Sequence, residues 1–236
     1  MKKVSIVVPI YKMKDELGEK LLVDFLSMIQ SQSFKDFDVV ISDQSNSESF
    51  KSIIDTFSHV LDIKYYQTDD SVDCAGKNVN NALSKATGEI IKLLYCDDYF
   101  INYQALQKIV DQFDSNKDKH WLLCGFAHSD YDKVNYFDVR SPWYGNKYVN
   151  GDNTTGNPSA YAVRNSHKLK MDENLLFIVD GEYFYQSYFC WGDPIIIQEP
   201  LVCFREHPQS AFRDEKLINL RESEMKYCEE KYKTII

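Results

Sequence analysis

The chain has 236 residues, with 27 Lys and Arg against 36 Asp and Glu for a formal net charge of −9, and 44% of it is hydrophobic. That length and composition exclude a disordered or fibrous chain and suffice for one full core. An acidic balance with no basic stretch excludes nucleic acid as partner, since phosphate backbones are held by excess Lys and Arg. A small phosphorylated ligand stays open, because a bound divalent cation inverts the local sign of an acidic pocket.

Six cysteines, Cys74, Cys96, Cys124, Cys190, Cys203 and Cys228, are scattered without a C-x-x-C pair, which reads as reduced thiols in a cytoplasmic protein. Met1-Lys2-Lys3 before an apolar run imitates a secretory leader. The run is short, is broken by Pro9 and lacks a small-residue cleavage site, so it reads as a buried first strand. No stretch reaches the roughly 20 apolar residues that cross a bilayer, and the expectation is a soluble or at most peripheral protein.

In chain order, residues 4–10 form a β-branched run, and Leu21, Leu22, Phe25, Leu26 and Ile29 then recur at helical spacing. Strand patterns follow at 37–41, 63–66 and 89–95, separated by helical patterns at 47–57 and 74–86, with Gly88 as the expected C-terminal cap of the latter. A βαβαβαβ order with strands apolar on both faces predicts a mostly parallel mixed sheet flanked by helices, with ligands beyond the strands' carboxyl ends. The loops to inspect are then 9–11, 42–45, 68–70 and 96–98, where Asp43, Asp97 and Asp98 would converge on one cleft.

The second half continues with a helix at 103–113, a strand at 121–126 and a polar, aromatic loop over 128–158 containing Gly145, Gly151 and Gly156. A loop of that length is functional or disordered. A strand at 160–164, a helix at 181–191 and a strand at 194–204 come next, and from Asp214 a charged helix carries both signs, a packing helix rather than a membrane anchor.

Two motifs are absent: a G-x-G-x-x-G after the first strand and a P-loop. With few glycines to cradle phosphates, another charge must do so. The Asp97-Asp98 pair after Ile90-Ile91-Lys92-Leu93-Leu94 is the source in view, because carboxylates at a strand end hold a hard cation that bridges phosphate oxygens. The competing reading is a solvated acidic turn.

Three segments in order, Val4-Ser5-Ile6-Val7-Val8-Pro9-Ile10-Tyr11, Phe37-Asp38-Val39-Val40-Ile41-Ser42-Asp43-Gln44-Ser45, and Ala86-Thr87-Gly88-Glu89-Ile90-Ile91 leading into Asp97-Asp98, resemble glycosyltransferase family 2 with its Rossmann-like GT-A fold. The likeness is good over the first 100 residues and looser beyond, through Gly156-Asn157-Pro158-Ser159, Val179-Asp180 and Arg205-Glu206-His207.

The resemblance implies a catalytic domain over residues 1–213, with a nucleotide half (1–100) and an acceptor half (101–213), and a helical tail over 214–236. It implies an inverting, metal-dependent transfer of a hexose from a UDP-sugar. Pro9, Tyr11 and Asp43 would contact uridine. Tyr11 offers a stacking face unless it is a core aromatic, and Asp43 accepts the imide proton of uracil. Asp98 is implied as the direct contact to Mn²⁺ or Mg²⁺ and Asp97 as a ribose or metal contact. His207, otherwise a surface residue, would complete the metal shell or touch the diphosphate. Asp180 matches the family's general base, a position equally suited to a helix N-cap, and Glu182 is its rival. Asn80 matches by spacing the family's Asn on the nucleotide-sugar side, and Lys77 would take the place of a neighbouring Arg near phosphate.

Trp143, Asn157, Pro158 and Ser159 would border an acceptor, expected to be a growing surface glycan such as O-antigen or capsule on a lipid-linked diphosphate carrier, met at the inner face of the cytoplasmic membrane. The chain departs from the pattern at Ser42, Tyr95 and Val179, where many relatives carry acids. The rival classes are a sugar nucleotidyltransferase and a non-catalytic carbohydrate-binding protein. Against the first, Pro9-Ile10-Tyr11-Lys12 is not a glycine-rich, basic triphosphate loop. Against the second, a binding module has no need of carboxylates at several strand ends.

Overall fold

A computed structural model describes residues 1–45, 48–68, 74–130, 135–144, 155–165 and 169–233. Asp70, Gly145 and Gly151 lie outside the described residues. The first half reads β1 (Val4–Ile10), α1 (Leu17–Gln30), β2 (Phe37–Asp43), α2 (Glu48–Phe57), β3 (Ile63–Gln67), α3 (Ala75–Lys85) and β4 (Ile90–Leu93). The second half adds β5 (Tyr99–Phe100), α4 (Ala105–Ser115), β6 (Trp121–Ser129), β7 (Tyr136–Arg140), β8 (Tyr161–Arg164), α5 (Val179–Trp191), β9 (Ile195–Arg205), α6 (Glu215–Ile218) and α7 (Arg221–Tyr232).

The nine described strands make one mixed sheet in the order β3-β2-β1-β4-β8-β6-β9-β5, with β7 pairing β6. The four strands β3-β2-β1-β4 are all parallel, as their α crossovers require. Beyond them, β8 runs antiparallel to both β4 and β6, while β9 is parallel to β6.

Alternation along β1 explains the layering, because successive side chains of a strand leave on opposite faces. Val4, Ile6, Val8 and Ile10 enter the core shared with α1, α2 and α4, whereas Val7 enters the core shared with α3, α5 and α7. Each fully buried aliphatic side chain contributes about 1.5–3 kcal/mol, so the two layers hold the strand ends rigidly.

Several expectations change on inspection. Gly88 does not cap α3; Ala86 does, in extended backbone. A Cβ at Gly88 would stand 2.4 Å from Ser5 N, so glycine is there because β1 and the start of β4 approach closely. The stretch 128–158 is not one loop, since it contains β7, whose five residues are all exposed. The short β5 carries no legible pattern and exists by pairing with Val202 and Cys203 of β9. The charged C-terminal helix is two helices, and α7 is docked through buried Glu224, Cys228 and Tyr232.

Candidate active site

The carboxyl ends of β2, β1 and β4 lie side by side, with Ile10 opposite Asp43 and Val7 opposite Leu93. The chain reverses direction across the sheet between β1 and β4, the switch point at which open α/β sheets bind ligands. Asn78 of α3 donates from Nδ2 to the carbonyl of Ile10 at 2.9 Å and so ties the helix to this edge.

Asp43 is fully buried. Its Oδ1 accepts from Ser45 N at 2.8 Å and from the Ser45 hydroxyl at 2.5 Å, and its Oδ2 accepts from the Tyr65 hydroxyl at 2.6 Å. Burial and then Asp43 itself push the Tyr65 phenol far up, so it remains a donor. Pro9 sits inside β1 opposite Ser42. Tyr11 is 46% exposed, which makes it a face toward solvent rather than a core aromatic.

Toward the other half, a cleft of about 580 Å³ is lined by Tyr95, Asp97, Asp98, Asn157, Pro158 and Asp180, with apolar walls from Phe126, Phe204 and Ile178. Gly156 lines it in left-handed backbone (φ +87°), and a Cβ there would stand 2.8 Å from the Phe126 ring.

The two members of the acidic pair sit in different environments. Asp98 is only 3% exposed, its Oδ2 accepting from Asn157 Nδ2 at 2.8 Å and its Oδ1 from Arg205 N at 3.3 Å. Burial, then the neighbouring Asp97, pushes its carboxyl up to about 8. It is a bracket between the β4–β5 turn, β9 and the 157 loop.

Asp97 has a side chain 26% exposed, and its Oδ2 lies 3.2 Å from His207 Nε2. His207 is buried and its Nδ1 accepts from Gln209 N, so the ring proton is on Nε2 and points at Asp97. His207 is therefore not a loose surface residue, as one sequence reading had it.

Tyr95, where many relatives carry an acid, presents a phenol kept protonated by burial and by Asp180, Asp97 and Asp98.

Asp180 is the second residue of α5, whose N-cap is Ile178, so the N-cap alternative does not hold. Its Oδ1 accepts from Gly181 N at 2.8 Å. Burial raises its carboxyl to about 6, with a further push from Glu224 against the pull of the Gly181 N–H. Glu182 leaves the helix on another side. It is 4% exposed and bound by Gln186 Nε2 (2.7 Å), Lys231 Nζ (2.7 Å) and the Tyr232 hydroxyl, which removes it as a rival base.

Three further expectations are corrected. Asn80 faces the 171–173 turn rather than the nucleotide-sugar side, exchanging hydrogen bonds with Met171 O and N at 2.9 and 2.8 Å. Ser159 is buried and its hydroxyl accepts from Tyr95 N, so it supports the cleft wall instead of meeting an acceptor. Glu182 is the third. Lys77 is half-buried in the first turn of α3, and Trp143 is exposed beyond β7, neither of them lining the cleft.

Sequence reasoning passed over Lys92, a lysine inside the apolar run of β4. It is fully buried, and its ammonium donates to the carbonyls of Ser159 and Tyr161. The signal was legible, since a charge in the middle of a buried strand needs partners. Tyr65 and Asn78 left no such signal.

Among the described residues no group of three or more His, Cys, Asp or Glu gathers as a complete metal site. Asp97, whose Oδ2 is held by His207 Nε2 at 3.2 Å, is the partly exposed carboxylate of the pair. With Nδ1 taken by the Gln209 N–H, the proton on His207 Nε2 leaves no lone pair for a metal, so the group that fits a cation here is the Asp97 carboxylate, with the remaining ligands drawn from phosphate and water.

A parallel half-sheet with acidic residues at its carboxyl edge, beside a cleft with a raised carboxylate, defines a nucleotide-dependent α/β transfer enzyme class. The chain belongs to glycosyl transferase family 2, whose family model matches residues 5–169. It is 31% identical over 103 residues to the GalNAc(5)-diNAcBac-PP-undecaprenol beta-1,3-glucosyltransferase of Campylobacter jejuni, covering 43% of this chain and 32% of that protein. It is 30% identical over 109 residues to the poly(ribitol-phosphate) beta-N-acetylglucosaminyltransferase TarS of Staphylococcus aureus, covering 45% of this chain and 18% of TarS. The matched stretch is thus a third or less of each relative's length.

In three dimensions the fold matches the TarS 1–349 structure in complex with UDP-GlcNAc at a TM-score of 0.70 and 18% identity, over 92% of this chain and 64% of that one. It also matches the mannosyltransferase PcManGT of Pyrobaculum calidifontis in complex with GDP-Man and Mn²⁺, at a TM-score of 0.64 and 15% identity, over 89% of this chain and 59% of that one.

Proposed function

We propose that this chain is an inverting glycosyltransferase that moves a hexose-type sugar from a UDP-sugar to a hydroxyl of a growing, lipid-linked glycan. The observation that carries the reading is that Asp97, oriented by His207, and Asp180, with its carboxyl raised to about 6, open on one cleft beside the nucleotide edge of the sheet. The relatives support the substrate classes: two TarS structures hold UDP or UDP-GlcNAc, and the Campylobacter enzyme acts on an undecaprenol-linked diphosphate glycan.

In this reading Tyr11 stacks on the base, and Asp43, held by Ser45 and Tyr65, accepts the imide N–H that uracil has and cytosine lacks. Asp97, held by the His207 Nε2–H, is the residue that would hold the divalent cation, and Lys77, in the first turn of α3, would stand on the diphosphate side. When bound, that cation offsets charge on the departing diphosphate. Asp98 keeps Asp97 and the 157 loop in place.

Asp180 takes the proton of the acceptor hydroxyl as its oxygen bonds to the anomeric carbon. The bond from that carbon to the diphosphate oxygen breaks on the opposite side, and UDP leaves with the electron pair. The phenol of Tyr95 donates in the cleft without adding a third negative charge. The apolar wall of Phe126 and Phe204, rings 4.7 Å apart and stacked, faces the acceptor's sugar. No described helix is long and apolar enough to cross a membrane.

The test is a panel of UDP-sugars with Mn²⁺ or Mg²⁺, read by calorimetry and by transfer to a diphosphate-lipid saccharide. Asp97→Ala is expected to lose metal-dependent donor binding. Asp180→Asn should keep donor binding and lose roughly 10²–10⁴-fold in kcat. Absence of nucleotide-sugar binding with either metal overturns the reading, and full transfer by Asp180→Asn overturns the base. Pyrophosphate release from UTP and a sugar phosphate would point to a nucleotidyltransferase instead.

A further inference from the structure

The C-terminal helix, a tail in the sequence reading, reaches the site. Glu224 of α7 is buried, and its carboxylate accepts from the backbone N–H groups of Leu176 (2.8 Å), Phe177 (3.0 Å) and Ile178 (3.0 Å). These three residues lead directly into α5, with Ile178 as its N-cap and Asp180 two residues further on. A helix start exposes unsatisfied N–H donors and the positive end of the helix dipole, which a polar N-cap side chain ordinarily meets. Isoleucine has no acceptor to offer; Gly181 N, in the first turn, is met by Asp180 Oδ1, and a carboxylate 46 residues away takes the N–H of Ile178 itself together with those of the two residues before it.

A second anchor fixes α7 independently. Lys231 pairs with Asp172 at 2.6 Å and Glu182 at 2.7 Å, and the Tyr232 hydroxyl donates to Glu182. Glu224 is therefore held at the mouth of α5 by the rest of its own helix.

We propose that Glu224 is a positioning residue for the base: seated on the backbone of residues 176–178 that leads into α5, it fixes where Asp180 stands in the cleft. The inference rests on the assignment of Asp180 made above. Asp180 also feels the Glu224 charge directly, in the same sense as its burial. From the β4–β5 turn Tyr95, Asp97 and Asp98 face the same cleft; His128, Arg140 and Arg205 face it from β6, β7 and β9, Glu206 from just beyond β9, and Arg221 from α7. All of these remain in a Glu224 variant, so a change in the pH profile reports Glu224.

The experiment compares the full chain with Glu224→Gln, Glu224→Asp, Lys231→Met and Asp180→Asn by donor calorimetry, thermal melting and kcat against pH. Glu224→Gln is expected to keep the donor Kd, to lose roughly tenfold in kcat, and to move the acidic limb of the profile down, since a like charge has been removed. Lys231→Met loosens the other anchor and is expected to lower Tm with the acidic limb unmoved. Wild-type kcat and limb in Glu224→Gln, or the same limb shift in Lys231→Met, overturns the proposal.

Should Glu224→Gln fail to fold, Glu224→Asp decides. Its charge is one methylene short, so a limb in the wild-type position with a severalfold loss of kcat supports the proposal, and full wild-type kcat overturns it. If Asp180→Asn retains transfer, the base assignment and this inference fall together. If Asp180→Asn is inactive while Glu224→Gln matches wild type, only the inference falls.

Discussion

Lys92 offers a test of how the cleft is built. Its ammonium is fully buried in β4, makes no ion pair among the described residues, and donates to the carbonyls of Ser159 and Tyr161. Burial lowers its pKa from 10.5 to about 8, against smaller opposing pulls from Cys124 and Asp98. At 1.36 kcal/mol per pKa unit, that gap is worth about 3 kcal/mol.

The sign follows from proton binding. Between about 8 and 10.5 the unfolded chain holds a proton that the folded chain has released, so this group makes stability rise with pH. About 2 kcal/mol of the gap is expressed between pH 7 and pH 9.5. Lys92→Met, close in volume and without charge, removes the dependence.

Urea unfolding followed by tryptophan fluorescence at the two pH values measures it. The unfolding free energy of wild type minus that of Lys92→Met should increase by about 2 kcal/mol on going to pH 9.5. Taking the difference cancels the tyrosines and other lysines that titrate nearby. A difference that stays flat, or shrinks, would show that Lys92 is not carried into the fold as a destabilised cation. The same substitution leaves two carbonyls of the 158–161 strap without a donor, so donor affinity should fall as Asn157 and Ser159 lose their fixed positions under Asp98 and Tyr95.

Other outcomes are equally concrete. The kcat of transfer should fall as pH drops through about 6, because Asp180 acts only when deprotonated and burial has raised it to that value. Tyr11→Ala should weaken UDP binding by about 1–3 kcal/mol in calorimetry, the worth of one base stacked on an aromatic ring, and an unchanged Kd would remove Tyr11 from the nucleotide site. Gly88→Ala should cost upwards of about 3 kcal/mol in chemical denaturation, because its Cβ would meet backbone atoms of Val4 and Ser5 that cannot move aside. Glu182→Ala leaves Lys231 with Asp172 alone and should cost about 3 kcal/mol of stability, while activity per folded molecule is kept.

The parallel half of the sheet was legible because its signal is local. Residues 4–10, 37–43 and 90–93 are mostly apolar and almost wholly buried, and the helices between them carry apolar stripes of their own. The acidic residues that end those strands were legible for the same reason. What could not be read was which way a side chain turns. Asp97 and Asp98 are adjacent and chemically identical, and only Asn157, Arg205 and His207, brought from 59 to 110 residues away, separate the bracket from the open carboxylate. Asp180 and Glu182 are two residues apart on one helix, and α7 decides between them by claiming Glu182. Residues whose role is set by a distant partner leave no trace in local pattern, and β5 is the backbone version of the same case.

Four carboxylates at one end of the sheet would repel one another if all were alike. The fold avoids this by giving each a different environment. Asp43 is locked by three hydrogen bonds. Asp98 is buried to the point where its carboxyl reaches about 8, so at neutral pH its charge is largely withdrawn from the side of Asp97. That leaves Asp97, oriented by the His207 ring, as the partly exposed carboxylate of the adjacent pair. Asp180 stands apart on α5 at about 6, ionised at neutral pH yet basic enough to accept a proton. Pushing like groups apart in proton affinity is how one site assigns separate acid, base and ligand roles. An Asp98→Asn variant isolates this division: it keeps the size and the Asn157 neighbour but abolishes any proton release, so metal-dependent donor binding should lose its pH dependence around 8. If the wild-type dependence persists in Asp98→Asn, the division of labour between the adjacent aspartates is wrong.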